Sequence, residues 1–315
     1  MRVIHGLTAL APEMRGASAA LGNFDGVHRG HRALLQAART ECPDAPLGVV
    51  TFEPHPRRYF QPEAPPFRLT TAAERARILA RLGVDLVCEI PFDARLAAMP
   101  AEEFVAGVLA DGLGVRHLVV GEDFRFGHRR LGDATALRQL CMAHGIGVTI
   151  LHPVGGAGGI YSSTGARVLI EQGRMRDAAE ALGRWHTVSG VVHKGDQRGR
   201  DLGFPTANLD FGEQIVPRYG VYAARVVVHD GPHAGVHDGV ASIGVRPQFG
   251  VNRPNFEVHF FDFSGDLYGA EISAALIALL RDEARFDGVE ALVAQMALDC
   301  AKAREVLADN PEAGP

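Results

Sequence analysis

Two histidines three residues apart, His28 and His31, close the run Leu21-Gly22-Asn23-Phe24-Asp25-Gly26-Val27-His28-Arg29-Gly30-His31. Glycines at 22, 26 and 30 let the backbone turn sharply and let a ligand approach without a Cβ in the way. A short apolar run, Ala19 to Leu21, leads in, and a helix-like run from Arg32 to Thr40 leads out. The imidazoles thus stand at the mouth of a helix, where unpaired N–H groups and the helix dipole favour an anion. The chemistry suggested is phosphate binding. Two alternatives stand beside it: a metal site on Asp25, His28 and His31, or two solvated histidines in a glycine-rich turn. The metal reading lacks the helical H-E-x-x-H pattern and any cysteine cluster nearby. The chain contains neither G-x-x-x-x-G-K-[ST] nor a G-x-G-x-x-G following a strand.

Further groups along the chain could serve the same chemistry. His55 sits between two prolines after an apolar run, where loops leaving a parallel sheet bind ligands; a surface histidine is the alternative. Gly121 and Gly127 bracket a loop with Asp123, Phe124, Arg125 and Phe126. A planar ring could stack on the two aromatics, although phenylalanines at spacing two also suit one buried face of an extended segment. Ser162, Ser163 and Thr164 precede a helical run and could be N-caps alone. Arg167, one turn in, adds a guanidinium whose fork matches phosphate geometry. Further on, Gly195 to Asn208 mixes basic residues with glycines, as a solvated hairpin tip or a nucleotide loop would. Thr206 and Asn208, on alternate positions of an extended segment, face one way, and their oxygens suit Mg²⁺ on a nucleotide. Glu257 is a carboxylate in the apolar run Phe256 to Phe260, which must be solvated, paired or functional.

The elements that position these groups fall into two rhythms. Leu47–Thr51, Leu86–Ile90, His117–Val120 and Val148–Leu151 read as buried strands. Helical segments alternate with them: Thr71-x-x-Glu74 is a capping box for a helix ending near Gly83, and Ala101–Leu109 forms another. That alternation argues for a parallel α/β sheet with right-handed crossovers. The proline-rich stretch to Pro66 reads as a loop or flap, and one helix is expected from the Ser162 region to about Leu182. Beyond Gly183, β-branched runs at 188–193, 221–228, 239–245 and 256–263, separated by turn residues, suggest an antiparallel barrel. Ile272–Leu280 is ambiguous by period. Residues 287–307, apolar at Val289, Leu292, Val293, Met296 and Cys300, read as a helix laid on the barrel. The domain division is placed at 1–184 and 185–315.

Composition narrows the function classes. The chain has 315 residues, 47% hydrophobic and 22% charged, with a net charge of −5. This acidic balance favours neither a nucleic-acid nor a membrane partner. No apolar run approaches the length of a membrane span, and no signal-peptide core opens the chain. The four cysteines form no C-x-x-C pair, so buried thiols in a reducing, cytoplasmic compartment are expected. Oligomeric state is left open.

Three stretches carry a resemblance. G-x-F-D-x-x-H-x-G-H resembles the signature of the nucleotidyltransferase superfamily, most closely the adenylyltransferase half of the bifunctional bacterial riboflavin kinase/FAD synthetase family. Ser162-Ser163-Thr164-x-x-Arg167 resembles that family's second triphosphate-binding motif, departing from it at Tyr161 and Gly165. G-R-x-L-G-F-P-T-A-N, spanning Gly199 to Asn208, resembles its riboflavin kinase signature, and F-E-V-H its catalytic carboxylate. The resemblance implies a Rossmann-like nucleotidyltransferase domain followed by an antiparallel β-barrel kinase domain with a C-terminal helix. It implies ATP, riboflavin and FMN as substrates and Mg²⁺ as cofactor. Gly22, Asn23, Phe24, Asp25, Gly26 and Ser162–Thr164 would bind one ATP, with His28, His31 and Arg167 catalytic. His55, Asp123 and Phe124 would take the flavin. Gly195, Arg200, Gly203, Phe204 and Pro205 would form the kinase pocket, Thr206 and Asn208 would hold the metal, and Glu257 would be the base. Ser242 and Gln248 depart from the family pattern. The competing readings are one retained activity, a non-catalytic flavin or nucleotide regulator, or an RNA-binding barrel, the last disfavoured by the acidic balance.

Overall fold

In a computed structural model the described residues are 1–6, 9–156, 158–195, 199, 202–245 and 254–314. They divide into two compact units, one of 1–64 and 72–161, the other of 65–71 and 162–315.

The first unit is a parallel sheet of six strands: β1 (Arg2–His5), β2 (Ser18–Leu21), β3 (Leu47–Glu53), β4 (Leu86–Pro91), β5 (His117–Gly121) and β6 (Gly147–Leu151). Their spatial order is β1-β4-β3-β2-β5-β6, every neighbouring pair parallel. The strands read as continuous apolar runs because both faces are covered. Ala19, Leu21, Val50, Phe52, Cys88, Ile90, Leu118 and Val120 face one core, and Ala20, Val49, Val87 and Val119 the other. Leu35 and Ala38 of α1 (Arg29–Glu41) and Ile78 and Leu79 of α3 (Ala72–Arg81) close the second core. The first is closed by α6 (Ala134–Met142) and by a π-helical segment, Phe104–Leu113. That segment continues α5 (Ala101–Glu103) past the expected end at Leu109, to Gly114 at φ +59°. The proline-rich stretch holds a short helix, α2 (Pro56–Phe60), and α4 (Ala94–Ala98) follows β4. The chain steps outward from β2 through β3 to β4, then returns to β5 on the other side of β2. The crevice beyond the carboxyl ends of β2 and β5 is therefore a topological switch point, where open α/β sheets bind ligands.

The second unit begins with α7 (Ser163–Glu171) and α8 (Met175–Leu182). The sequence pattern predicts one helix here. Gly173, at φ +74°, breaks it, and Arg174 N turns back to donate to Leu169 O. Six antiparallel strands follow: β7 (Thr187–Val191), β8 (Thr206–Leu209), β9 (Gly220–Val228), β10 (Gly235–Val245), β11 (Pro254–Phe260) and β12 (Glu271–Asp282). Their order is β7-β12-β9-β10-β11-β8, and a bridge between His193 and Asn208 joins the two edges, so the sheet curls on itself. The ambiguous stretch 272–280 is a strand without a visible period because both its faces are buried. Ile272, Ala274 and Leu276 face the barrel core, while Ala275 and Ile277 face the C-terminal helix, α9 (Val289–Ala308).

That helix packs differently from the expectation. Its buried residues are Asp299, Ala303 and Leu307, whereas Val289 is 59% exposed and Leu292, Val293 and Met296 are half-buried. Two arginines explain the shift toward the C-terminal half. Arg281 of β12 grips Asp299 with three bonds of 2.8–3.0 Å. Arg225 of β9 holds Asp238 through Nε and Nη2, and donates to the carbonyls of Leu307, Asn310, Pro311 and Ala313. The cysteines are free; burial pushes the Cys88 thiol up to about 11 and that of Cys141 to about 12, so both are inert at neutral pH.

Candidate active sites

In the first unit the phosphate candidates lie at the switch point. β2 ends at Leu21, and the chain turns through Gly22 to Val27 with Phe24, Gly26 and Val27 at φ +51°, +81° and +41°. Gly26 meets this requirement freely; Phe24 and the β-branched Val27 store strain there, as functional turns often do. Both side chains, and Asp25, are buried, and Thr51 Oγ1 donates to Asn23 O at 3.0 Å. The helix begins at Arg29, three residues earlier than the apolar pattern suggests, because His28 is its N-cap. His28 Nδ1 accepts from His31 N at 3.3 Å, which directs the proton of a neutral ring to Nε2. The two imidazoles stack at 3.6 Å between centroids, and Phe24 stacks on His31 at 4.6 Å. Gly30 sits in tight quarters: a Cβ there would lie 3.0 Å from the His28 ring and 3.1 Å from Tyr161 O, so one of them would have to give by a few tenths of an ångström. Two imidazoles at a helix N-terminus with a tight glycine turn can bind and orient a polyphosphate.

The same sheet edge carries the flavin candidates. His55 is buried and caps α2, Nδ1 accepting from Arg57 N at 3.0 Å. Asp123 is exposed after β5, and half-buried Phe124 stacks on Phe126 at 5.7 Å. An aromatic patch escaped sequence reasoning: Tyr59 and Phe60, 37% and 62% exposed, lie edge-on to Phe92 at 5.5 and 5.6 Å. Two adjacent exposed aromatics on a short proline-started helix were the available signal.

In the second unit, Ser162 caps α7, its Oγ accepting from Gly165 N at 3.0 Å. Arg167 stands over the Phe67 ring at 5.5 Å and donates from Nε to Phe67 O at 2.8 Å. Ser163 and Thr164 begin the helix.

The barrel brings the kinase candidates together by register. Asn208 of β8 pairs with Glu257 of β11, which pairs with Ser242 of β10, so three polar residues line up across the sheet. Phe256, Val258 and Phe260 are buried, and Glu257 and His259 lie on the opposite face. Thr206 Oγ1 donates to Glu257 Oε2 at 3.2 Å, and Asn255 Nδ2 to Oε1 at 2.8 Å. Gly195 presses on Asn208, where a Cβ would come within 2.5 Å of its side-chain carbon and oxygen. Phe204 N donates to Gly199 O at 2.7 Å, Gly203 takes φ +85°, and Pro205 O meets His259 Nδ1 at 2.9 Å. Arg200 and Gln248 lie outside the described residues. A carboxylate with a hydroxyl and an amide oxygen beside it can accept a proton next to a metal-bound phosphate.

The FAD synthetase family model matches residues 10–165, and the riboflavin kinase family model matches 182–307. A bifunctional riboflavin kinase/FMN adenylyltransferase of Escherichia coli strain K12 is 41% identical over 307 residues, covering 97% of this chain and 96% of its own length. The chain belongs to the bifunctional riboflavin kinase/FMN adenylyltransferase family. Another enzyme of that name, from Pseudomonas fluorescens, is 41% identical over 313 residues, 98% of this chain and 99% of its own. The family fold extends to a crystal structure of a macrolide-efflux protein from Streptococcus pneumoniae, with TM-score 0.81 and 31% identity, covering 94% of this chain and 97% of that one. Among the described residues of this family member, no helix is long and apolar enough to cross a membrane.

Proposed function

We infer that the chain phosphorylates riboflavin to FMN with ATP in its C-terminal part and adenylylates FMN to FAD with ATP in its N-terminal part. The observation that carries this is coverage: relatives named for both reactions match nearly the whole chain, and each part is matched by its own family model. The working division is 1–184 for adenylylation and 185–315 for the kinase, and the setting is the cytoplasm.

In the kinase, Glu257 takes the proton of the ribityl hydroxyl as that oxygen attacks the γ-phosphorus, and the bond to the ADP oxygen breaks. Thr206 and Asn255 orient the carboxylate by holding one oxygen each. Thr206 and Asn208 would hold Mg²⁺. The donor set fits a hard ion that keeps most of its waters, and Gly195 leaves the Asn208 amide room that a side chain would fill. Bound there, the ion would screen the phosphate charges. Gly195, Gly203, Phe204 and Pro205 shape the nucleotide and flavin pocket, and the family resemblance assigns Arg200 to the same role.

In the adenylyl reaction an oxygen of the FMN phosphate attacks the α-phosphorus of ATP and pyrophosphate leaves. The nucleophile is already ionised, so positioning and charge stabilisation suffice. His28 and His31 bind the phosphates beside the Gly22–Gly26 turn. Ser162, Ser163, Thr164 and Arg167 add further phosphate contacts, as the family motif implies. His55, Asp123 and Phe124, with Tyr59 and Phe60, receive the flavin. Incubating the protein with riboflavin and Mg·ATP and separating the flavins should give FMN, then FAD. FMN alone would refute the adenylyl assignment, and bound flavin without conversion would make the chain a binding protein.

A further inference from the structure

Arg75 is among the largest side chains wholly shielded from solvent. It lies in the first turn of α3, and its Nη2 donates to Glu53 Oε2 at 3.0 Å and to Glu89 Oε1 at 2.5 Å. The other Glu89 oxygen meets His5 Nδ1 at 3.0 Å. Nε and Nη1 of Arg75 are buried with no hydrogen-bond partner among the described residues. As a source of stability this is poor: a buried charge is costly to desolvate, each orphaned donor adds to that cost, and an apolar side chain of similar volume would often do as well. What an apolar side chain could not do is hold two particular carboxylates in a fixed relation.

The location gives that relation a use. Glu53 is the last residue of β3, and the chain leaves the sheet at Pro54 to return at Ala72, the start of α3. The Glu53–Arg75 bond therefore closes the neck of this excursion. Its first residues are the proposed flavin side of the adenylyl site: His55 capping α2, then Tyr59 and Phe60 against Phe92. The neck also registers Phe92, whose N donates to Glu53 O at 3.2 Å. A side-chain clasp and a backbone bond on one residue thus set where both halves of the aromatic patch stand.

We infer that Arg75 is a positioning residue for FMN adenylylation, clasping Glu53 to Glu89 so that His55, Tyr59 and Phe60 are held ready for the flavin. The inference rests on the adenylyl reading of the first unit. It makes Arg75 matter for FMN more than for ATP, and for ground-state placement more than for the chemical step.

The test uses the full chain with Arg75→Met and Arg75→Lys, assaying both reactions in each preparation. Arg75→Met should raise the KM for FMN at least tenfold, with kcat for FAD formation, KM for ATP in that reaction, and riboflavin phosphorylation all within about threefold of the parent. Arg75→Lys keeps the charge and a single nitrogen that could serve both carboxylates, as Nη2 does, but on a shorter side chain, and should fall between. An apolar replacement of the whole cluster, Arg75→Met with Glu53→Leu and Glu89→Leu, separates positioning from packing, and it serves if Arg75→Met does not fold. It should restore the parent's thermal midpoint while the KM for FMN stays raised. A KM for FMN that is unchanged in Arg75→Met, or that returns to the parent value with stability in the triple variant, overturns the positioning role. A parent protein that forms no FAD from FMN overturns the adenylyl reading and this inference with it.

Discussion

Replacing Glu257 with Gln tests the kinase assignment with little structural disturbance. Among its contacts with described residues, the carboxylate accepts hydrogen bonds from Asn255 Nδ2 at 2.8 Å and from Thr206 Oγ1 at 3.2 Å. A glutamine can keep its oxygen toward Asn255 and turn its amide toward Thr206, whose hydroxyl can reverse and accept. Both of these bonds survive in neutral form, so their part of the stability change is within about 1 kcal/mol. The loss of the base is larger: general base catalysis contributes roughly 100- to 10,000-fold, or about 3–5 kcal/mol of barrier. Phosphoryl transfer has a loose transition state that asks less of a base, so the lower figure of about 100-fold is the criterion. The assay is FMN formed from riboflavin at saturating ATP, with conversion of supplied FMN to FAD as an internal control. FMN formation should drop about 100-fold or more, with FAD formation unchanged. Retention of more than about a tenth of the kinase rate would refute the role. A parallel loss of both activities and of the thermal midpoint would refute the bond-exchange argument.

Other outcomes follow from the same structure. Substituting both His28 and His31 by Ala should abolish FAD formation from FMN and leave FMN formation from riboflavin intact; FAD formed at the parent rate would remove these residues from the site. Burial first, and the positive Arg184 second, hold the His186 imidazole down at about 3. The unfolded chain takes up that proton near the ordinary value of about 6.5 and the folded chain does not. Stability should therefore be full above that point and fall by about 1.4 kcal/mol per unit as the pH drops toward 3. Urea titrations at about pH 7 and pH 5 should differ by about 2 kcal/mol from this group, and His186→Phe should remove that part of the difference. Arg225→Leu loses the paired bonds to Asp238 and the contacts with the carbonyls of Leu307, Asn310, Pro311 and Ala313. With Asp238 partly solvated, the loss should be on the order of 2–3 kcal/mol in the unfolding of the C-terminal unit, read by denaturant titration.

What was legible in the sequence was local. The helix mouth at His28, the alternation around Glu257 and the shared face of Thr206 and Asn208 are properties of a few adjacent residues, where sterics and period decide. What was not legible depends on partners far along the chain. No local pattern sets Asn208 opposite Glu257 and Ser242, because register is fixed by pairing across three strands. Phe92 lends Tyr59 and Phe60 their patch from another strand's end, and Arg75 finds Glu53 and Glu89 only once β3 and β4 lie side by side. The apolar stripe of α9 misled for a related reason: Arg281 and Arg225 anchor the helix through charge, so its C-terminal half is the part that packs. Gly173 was visible, but helical spacing continues on both sides of it and hides the break.

The short stretch 65–71 groups with the second unit although the residues on either side of it belong to the first. Phe67 and Arg68 donate to Glu213 O, Ile215 N donates to Arg68 O, and Arg167 holds Phe67 O. The second unit is therefore not a contiguous piece of chain, and no single cut frees it whole. A gene fragment opening near residue 185 encodes every strand of the barrel yet leaves behind the peptide that covers Glu213 and Ile215. During synthesis the order is reversed: residues 65–71 leave the ribosome long before the loop they bind, and must wait for it. Dividing this protein into separately expressed halves calls for carrying that peptide across the division, as a graft and not as a linker.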